Sequence, residues 1–167
     1  MKKSMPIIMT AMSLLILGVA LSAGNALAQT AKDLVGTWAW VSVDTTAPDG
    51  TKAQPFGPTP KGLIVFDSNG RFAYLLSRPD RPNFASKNRG QGTADENKAT
   101  VQGSLAYSGT YSVRDKTLIF KIEASTYPNE VGNEQKRLLT LTGDQLKWTN
   151  PAITTGGSAV AVLKRVK

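Results

Sequence analysis

Turn-forming residues divide most of the chain into short segments that are rich in β-branched and aromatic side chains. Asn69-Gly70 and Gly143-Asp144 are pairs that tolerate the backbone of tight hairpin turns. Between the turns the sequence predicts about eight strands. These are residues 34–43, 62–66, 71–76, 105–113, 117–123, 136–142, 145–149 and 159–166. Short strands that follow one another in this way favour an all-β, antiparallel, up-and-down fold.

A closed barrel is the architecture that we expect from these strands, and a sandwich is the alternative. Closure removes both exposed edges of the sheet, and a barrel of this size is just wide enough to hold one small ligand. Residues 93–102 are predicted to form one helix between the third and the fourth strand, because Thr93 and Glu96 make a capping box and Gly103 ends it. Its polar sequence places the helix on the surface, as a flap beside the opening.

The first 28 residues have the three parts of a secretory signal peptide. Two lysines precede an apolar, uncharged run over residues 7–21, and Ala26-Leu27-Ala28 supplies the small residues that signal peptidase requires. We therefore expect cleavage after Ala28, a single domain of residues 29–167 and a periplasmic or secreted location. A retained transmembrane helix is the alternative, but the small-residue exit fits export better, so we expect no stable membrane insertion after cleavage.

The chain contains neither cysteine nor histidine. Thiol chemistry, disulfides and cysteine zinc sites are therefore excluded, and the commonest general base and metal ligand is missing. We expect no metal and no cofactor. The formal net charge is +8, but the basic residues are scattered and no helix carries a basic stripe, so nucleic acid is not an expected partner.

The tyrosines are candidates for the lining of a ligand cavity. Tyr107 and Tyr111 lie four residues apart, on one face of a strand, with Gly109 between them. Tyr74 and Tyr127 complete the set of tyrosines in the chain. Such a face either lines a cavity in which a ligand lies close to the backbone or forms ordinary aromatic core, and the sequence leaves both interpretations open.

Glu123 is the candidate for a charged group inside the barrel, because it ends a well-patterned strand and Arg137 is its natural partner on the next one. If both side chains point inward, they form a buried pair that is either structural or tuned for proton transfer. With Tyr107 such a pair would make a catalytic site for an isomerase, cyclase or lyase. Phe120, on the strand of Glu123, is a further expected ligand contact.

Arg78 opens the segment Arg-Pro-Asp-Arg-Pro, where the third predicted strand ends. One hypothesis places its guanidinium at the mouth of the barrel, where it binds an anionic or enolate oxygen of a ligand. The other pairs it with Asp80, so that it only fixes the loop whose backbone the prolines Pro79 and Pro82 already restrict.

Gly36-Thr37-Trp38 in the first strand and Lys164-Arg165 in the last are similar to a pair of motifs in the lipocalin superfamily. The resemblance implies that Arg165 packs over Trp38 where the first and last strands meet. A cation over an indole face contributes about 0.5–2 kcal/mol. Both residues are therefore expected to close the barrel.

Longer segments resemble the bacterial lipocalin-like domain family of small proteins. They are LVGTWAWVSVD, DGTKAQPFGPTPKGLIVFDSNGRFAYLLSRPDRPNFAS, LAYSGTYSV and YPNEVGNEQKR, within residues 33–165. The resemblance implies a calycin-type barrel and fixes no activity. Phe120-Lys121-Ile122-Glu123 stands where the family pattern often has histidines, and Glu130 stands where it usually has an aromatic residue after Pro-Asn, so no proton transfer by such a histidine is available.

Together these features predict an exported lipocalin-like protein that binds a small, hydrophobic or amphipathic molecule in the barrel interior. The expected ligand contacts are Tyr74, Arg78, Tyr107, Tyr111, Phe120, Glu123, Tyr127 and Arg137. Two alternatives stay open at this point. One is the enzyme with Glu123, Arg137 and Tyr107, and the other is a filled barrel that acts through its basic surface on a partner in the cell envelope.

Overall fold

Antiparallel pairing joins the strands of the computed structural model in a continuous circle, in which the last strand returns to the first. The structure describes residues 29–167. The strands in that region are β1 (Gly36–Thr46), β2 (Lys52–Ala53), β3 (Lys61–Phe66), β4 (Arg71–Ser77), β5 (Ser104–Arg114), β6 (Thr117–Ser125), β7 (Glu134–Thr142), β8 (Gln145–Asn150) and β9 (Ser158–Arg165). All but β2 form the closed barrel, and β2 is a short addition to β1. The predicted all-β barrel of about eight strands is therefore confirmed.

Three helical segments accompany the strands. They are α1 (Ala31–Leu34), α2 (Ala94–Gln102) and a 3₁₀ helix, Pro128–Glu130. The predicted capping box is present at α2, where Thr93 Oγ1 accepts the backbone N–H of Glu96 and the Glu96 carboxylate accepts the backbone N–H of Thr93. None of the α2 residues is buried, so this helix packs on the surface as expected. The sequence pattern did not predict α1, the 3₁₀ helix or β2, because each spans only about one repeat of its pattern, which is too short to establish a periodicity.

Large side chains fill the end of the barrel that α1 covers. Trp38, Phe66 and Phe120 are almost fully buried there. The Trp38 indole Nε1 donates a hydrogen bond to the Leu34 carbonyl oxygen, at 2.8 Å. The Tyr111 hydroxyl donates to the Asp67 carbonyl oxygen, at 2.9 Å. Both polar groups thus have partners within the core, which removes most of the cost of burying them.

Arg165 joins the last strand to the first. Its guanidinium carbon lies 4.1 Å from the centre of the Trp38 ring. Nη1 donates to the Val35 carbonyl oxygen and Nη2 to that of Asp33, each at 2.7 Å. Gly36 is needed beside it, because a Cβ at this position would lie 3.0 Å from Nη1 and the backbone φ is +127°.

The predicted signal peptide, residues 1–28, lies outside the described residues. Within residues 29–167, no helix has both the length and the apolar character needed to cross a membrane.

Replacement of Arg165 should weaken the barrel. We expect Arg165→Met to lower the free energy of unfolding by about 2 kcal/mol, because the cation over Trp38 and two charge-assisted hydrogen bonds are lost together. Urea denaturation followed by tryptophan fluorescence measures this change. The matched control is Lys164→Met on the same strand, whose side chain is exposed. An equal effect of the two substitutions would contradict the role of Arg165 in closure.

Candidate functional site

The end of the barrel opposite α1 contains a cavity of about 450 Å³ that is partly open to solvent. Its apolar wall comes from Val43, Phe56, Leu76, Leu105, Trp148, Ile153 and Ala161, together with the rings of Tyr74 and Tyr107. The volume lies within the range of about 300–1,000 Å³ that is typical of sites for small molecules. The interior of this barrel is therefore only partly filled by its own side chains.

Small side chains on β9 leave room for the cavity at this end of the barrel. Ala159 and Ala161 on β9 face it, whereas Leu163 on the same strand belongs to the packed core. A β-bulge between Trp40 and Ser42 changes the register of β1. After this bulge, Val43 and Thr45 are the residues of β1 that face the cavity. Along β9, small residues thus face the open end of the barrel and a larger one faces the filled end.

Tyr74 and Tyr107 form an aromatic wall. Their rings stack with centroids 4.2 Å apart and planes 18° from parallel. Trp40 packs edge-on against both Tyr74 and Trp148, and its indole Nε1 donates to the Leu75 carbonyl oxygen at 2.7 Å. Because each of these rings is fixed by another ring or by a hydrogen bond, the wall is rigid and offers a flat apolar surface.

A hydrogen-bonded chain of three polar side chains lies along the cavity. Arg137 Nη2 donates to the Gln135 side-chain oxygen, and the Gln135 amide nitrogen donates to the Glu130 carboxylate. Arg137 and Glu130 are each only 7% exposed. Arg137 also lies over the Phe120 ring, with its guanidinium carbon 5.9 Å from the centroid. All three members of this chain line the cavity.

The tyrosine hydroxyls share this environment. Burial raises the pKa of Tyr107, and the positive charge of the nearby Arg137 opposes part of that shift. Burial also raises the pKa of Tyr74 well above its ordinary value, with a further contribution from Tyr107. Both groups are therefore neutral hydrogen-bonding phenols at physiological pH.

The residues predicted to contact a ligand are found in three places. Tyr74, Tyr107 and Arg137 line the cavity. Phe120 and Tyr111 are buried in the core and are not part of the lining. Arg78, Glu123 and Tyr127 lie outside the cavity, and the Tyr127 side chain is exposed.

Glu123 does not pair with Arg137. It is a bulge residue, because Ile122 pairs with Gly109 and Ala124 pairs with Ser108. Its carboxylate accepts a hydrogen bond from Arg71 Nη2 at 2.6 Å on the outer surface, where both side chains are about half exposed. The reason lies in the two-residue repeat of a strand, since Phe120 points inward and a residue three positions later points outward.

Arg78 forms a two-pronged ion pair with Asp80. Nε and Nη2 donate to the two carboxylate oxygens at 2.9 and 2.7 Å, and the Arg78 side chain is 44% exposed. Its backbone N–H donates to the Gly103 carbonyl oxygen, which ties the start of this loop to the end of α2. The structure therefore agrees with the hypothesis of a loop brace and places Arg78 outside the cavity.

Glu130 and Gln135 are the site residues that the sequence reasoning missed. In the sequence, Glu130 stands out only as a departure from the family pattern, where it replaces an aromatic residue. That substitution was the available signal, because a carboxylate at a position normally occupied by an aromatic side chain requires a buried partner. No cluster of acidic side chains within residues 29–167 is arranged to hold a metal ion.

The sequence is similar to known proteins. The lipocalin-like domain family matches residues 35–165. The 4′-hydroxy-3′-methoxypropiophenone carrier protein ppsC of Aspergillus oryzae is 30% identical over 91 residues, which are 48% of this chain and 82% of that protein.

Two solved structures from Bacteroides are also similar. The chain shares 13% identity with a lipocalin-like protein of Bacteroides uniformis, at a TM-score of 0.44, over 80% of this chain and 99% of that one. It shares 15% identity with an uncharacterized protein of Bacteroides eggerthii, at a TM-score of 0.42, over 80% of this chain and 100% of that one.

The buried tyrosines should make the protein sensitive to alkaline pH. The pKa of Tyr74, Tyr107 and Tyr111 in the folded protein is raised above the ordinary value of 10.0. The folded state therefore holds the phenol protons more tightly than the unfolded state does. The contribution of these tyrosines to the free energy of unfolding is therefore fully present below pH 10 and decreases as the pH rises above that value. In a Tyr127→Phe background, phenolate absorbance at 295 nm should increase only together with the loss of native circular dichroism. Reversible ionisation of all three remaining tyrosines near pH 10 in the folded protein would contradict this.

Proposed function

The chain belongs to the lipocalin-like domain family, and from this premise we propose that it is an exported binding or carrier protein for a small, mainly hydrophobic molecule. The observation that carries the proposal is the cavity of about 450 Å³ with its aromatic and aliphatic wall. A packed barrel would leave no room for a ligand, and the interior at this end is not packed.

Burial of apolar surface supplies the binding energy in this proposal. A ligand that buries about 200 Å² of apolar surface gains roughly 5 kcal/mol before the costs of association are subtracted. The rigid wall of Tyr74, Tyr107 and Trp148 reduces the ordering cost, because its rings are already held in place. The similarity to the Aspergillus oryzae carrier protein supports carriage of a small molecule.

An enzyme with Glu123 as general base is not proposed. Glu123 lies on the outer surface in an ion pair with Arg71, and a general base must lie within hydrogen-bond reach of the proton that it removes. The carboxylates that line the cavity are those of Glu130, which accepts a hydrogen bond from Gln135, and Glu134. The contacts of the cavity are those of a binding site.

Binding in the cavity is tested with N-phenyl-1-naphthylamine, a neutral probe that fluoresces in apolar surroundings. We expect saturable binding, and we expect Leu105→Trp to raise the dissociation constant at least tenfold because the indole fills part of the cavity. Leu63→Trp is the matched control, since Leu63 lies on the outer surface and is 40% exposed. Equal affinities of both variants for the probe would place its binding elsewhere and argue against the proposal.

Export is the second part of the proposal, and the predicted signal peptide supports it. When the full chain is expressed in a Gram-negative host, the periplasmic fraction should contain a protein with the mass of residues 29–167. Ala28→Arg should block this processing, because signal peptidase requires a small residue before the cut. An unprocessed, cytoplasmic wild-type chain would show that export is wrong while leaving the cavity experiment unaffected.

A further inference from the structure

The buried guanidinium of Arg137 determines which polar group a ligand can present. A guanidinium keeps its charge at all ordinary pH values and carries five N–H donors. Two of these are used within the protein, by the Gln135 side chain and by the Lys136 carbonyl oxygen at 3.2 Å. The Arg137 side chain lines the cavity beside Tyr107. A ligand at this position therefore meets hydrogen-bond donors.

The charge of Arg137 is already balanced inside the protein. Gln135 connects it to the carboxylate of Glu130, so the three side chains together have no net formal charge. Glu130 also lines the cavity, and so does Glu134 at its edge. An anionic ligand in the cavity would therefore approach one cation and two carboxylates. Of the two carboxylates, Glu134 has a lysine beside it, with 3.6 Å between its Oε1 and the Nζ of Lys136.

We propose that Arg137, Gln135 and Glu130 form a neutral polar anchor that selects an uncharged aromatic ligand with a carbonyl-type acceptor over a carboxylate. This inference rests on the proposed binding function. The stacked tyrosines and Trp148 fit the aromatic part, and Arg137 with the Tyr107 hydroxyl fits the acceptor. A carboxylate is disfavoured because it loses its hydration and meets Glu130 without a net positive charge to compensate.

A purely hydrocarbon ligand fits this anchor less well than a carbonyl compound. It would displace water from the guanidinium and the phenol without replacing the hydrogen bonds, and unpaired buried polar groups are costly. An acceptor oxygen restores one of these bonds, with a charged donor. At neutral pH the ketone should therefore bind most tightly, the hydrocarbon less tightly and the carboxylate least tightly.

Three naphthalenes of nearly equal size test this order by displacing N-phenyl-1-naphthylamine. They are 2-acetylnaphthalene, 2-isopropylnaphthalene and 2-naphthoate. We expect the ketone to bind about tenfold more tightly than the hydrocarbon, as one charge-assisted hydrogen bond allows. Arg137→Gln should abolish this difference, and binding of the hydrocarbon by this variant reports that the cavity is intact.

Glu130→Gln gives a second test, in which the affinity for the carboxylate ligand is expected to increase. A gain in affinity cannot be explained by a misfolded variant. The substitution keeps the shape of the side chain and removes the negative charge beside Arg137. The affinity for 2-naphthoate, and its ratio to the affinity for the ketone, should rise at least tenfold. Glu123→Gln is the matched control, because the same chemical change on the outer surface should alter none of the three affinities.

The outcomes separate this inference from the function on which it rests. If wild-type protein binds neither N-phenyl-1-naphthylamine nor any of the naphthalenes, both the binding function and the anchor are overturned. If it binds them but Glu130→Gln leaves 2-naphthoate unchanged, or the ketone and the hydrocarbon bind equally, only the anchor is overturned. A rise for 2-naphthoate in Glu130→Gln that is absent in Glu123→Gln supports the anchor.

Discussion

Pairing of the first strand with the last is the constraint on which the rest of the molecule depends. β1 and β9 are paired from Trp38–Arg165 to Thr46–Ser158, and this ladder turns an open sheet into a barrel with an inside. The guanidinium of Arg165 strengthens the ladder at one end through the Trp38 ring and two backbone carbonyls. Once the sheet is closed, the two-residue repeat of each strand assigns every side chain to the interior or to the surface.

The closed barrel has two ends with different contents. Trp38, Phe66 and Phe120 fill the end beneath α1, whereas smaller residues such as Ala159 and Ala161 leave a cavity at the other. The buried charges lie at the cavity and not in the filled end. Arg137 and Glu130 are connected through Gln135, which is the arrangement that allows two ionised groups to be buried without a net charge.

Much of the fold and part of the site could be predicted from the sequence. The hairpins, the eight barrel strands and α2 follow from turn residues, alternation and a capping box, because these signals act over a few residues. Alternation places Tyr107 and Tyr111 on one face of a strand, of which Tyr107 lines the cavity and Tyr111 lies in the core, whereas Tyr74 is a candidate only as one of the four tyrosines. The same alternation predicts that Glu123 points outward, because it lies three positions after the inward-facing Phe120. In the structure Glu123 lies at a bulge, and its carboxylate accepts a hydrogen bond from Arg71 on the outer surface.

The strands, their up-and-down order and α2 follow from the sequence, because turn residues, alternation and a capping box act over a few residues. Closure into a barrel is favoured over a sandwich, and the contact between Trp38 and Arg165 is expected from the resemblance to the lipocalin superfamily. Which end of the barrel stays open, and which charges meet there, depends on how distant parts of the chain pack together. Glu130 lies in a 3₁₀ helix outside the strands, and its contact with Gln135 depends on how the chain between β6 and β7 folds back over the barrel. A loop has no repeat from which the direction of a side chain can be read, so contacts made by loops depend on packing between distant parts of the chain.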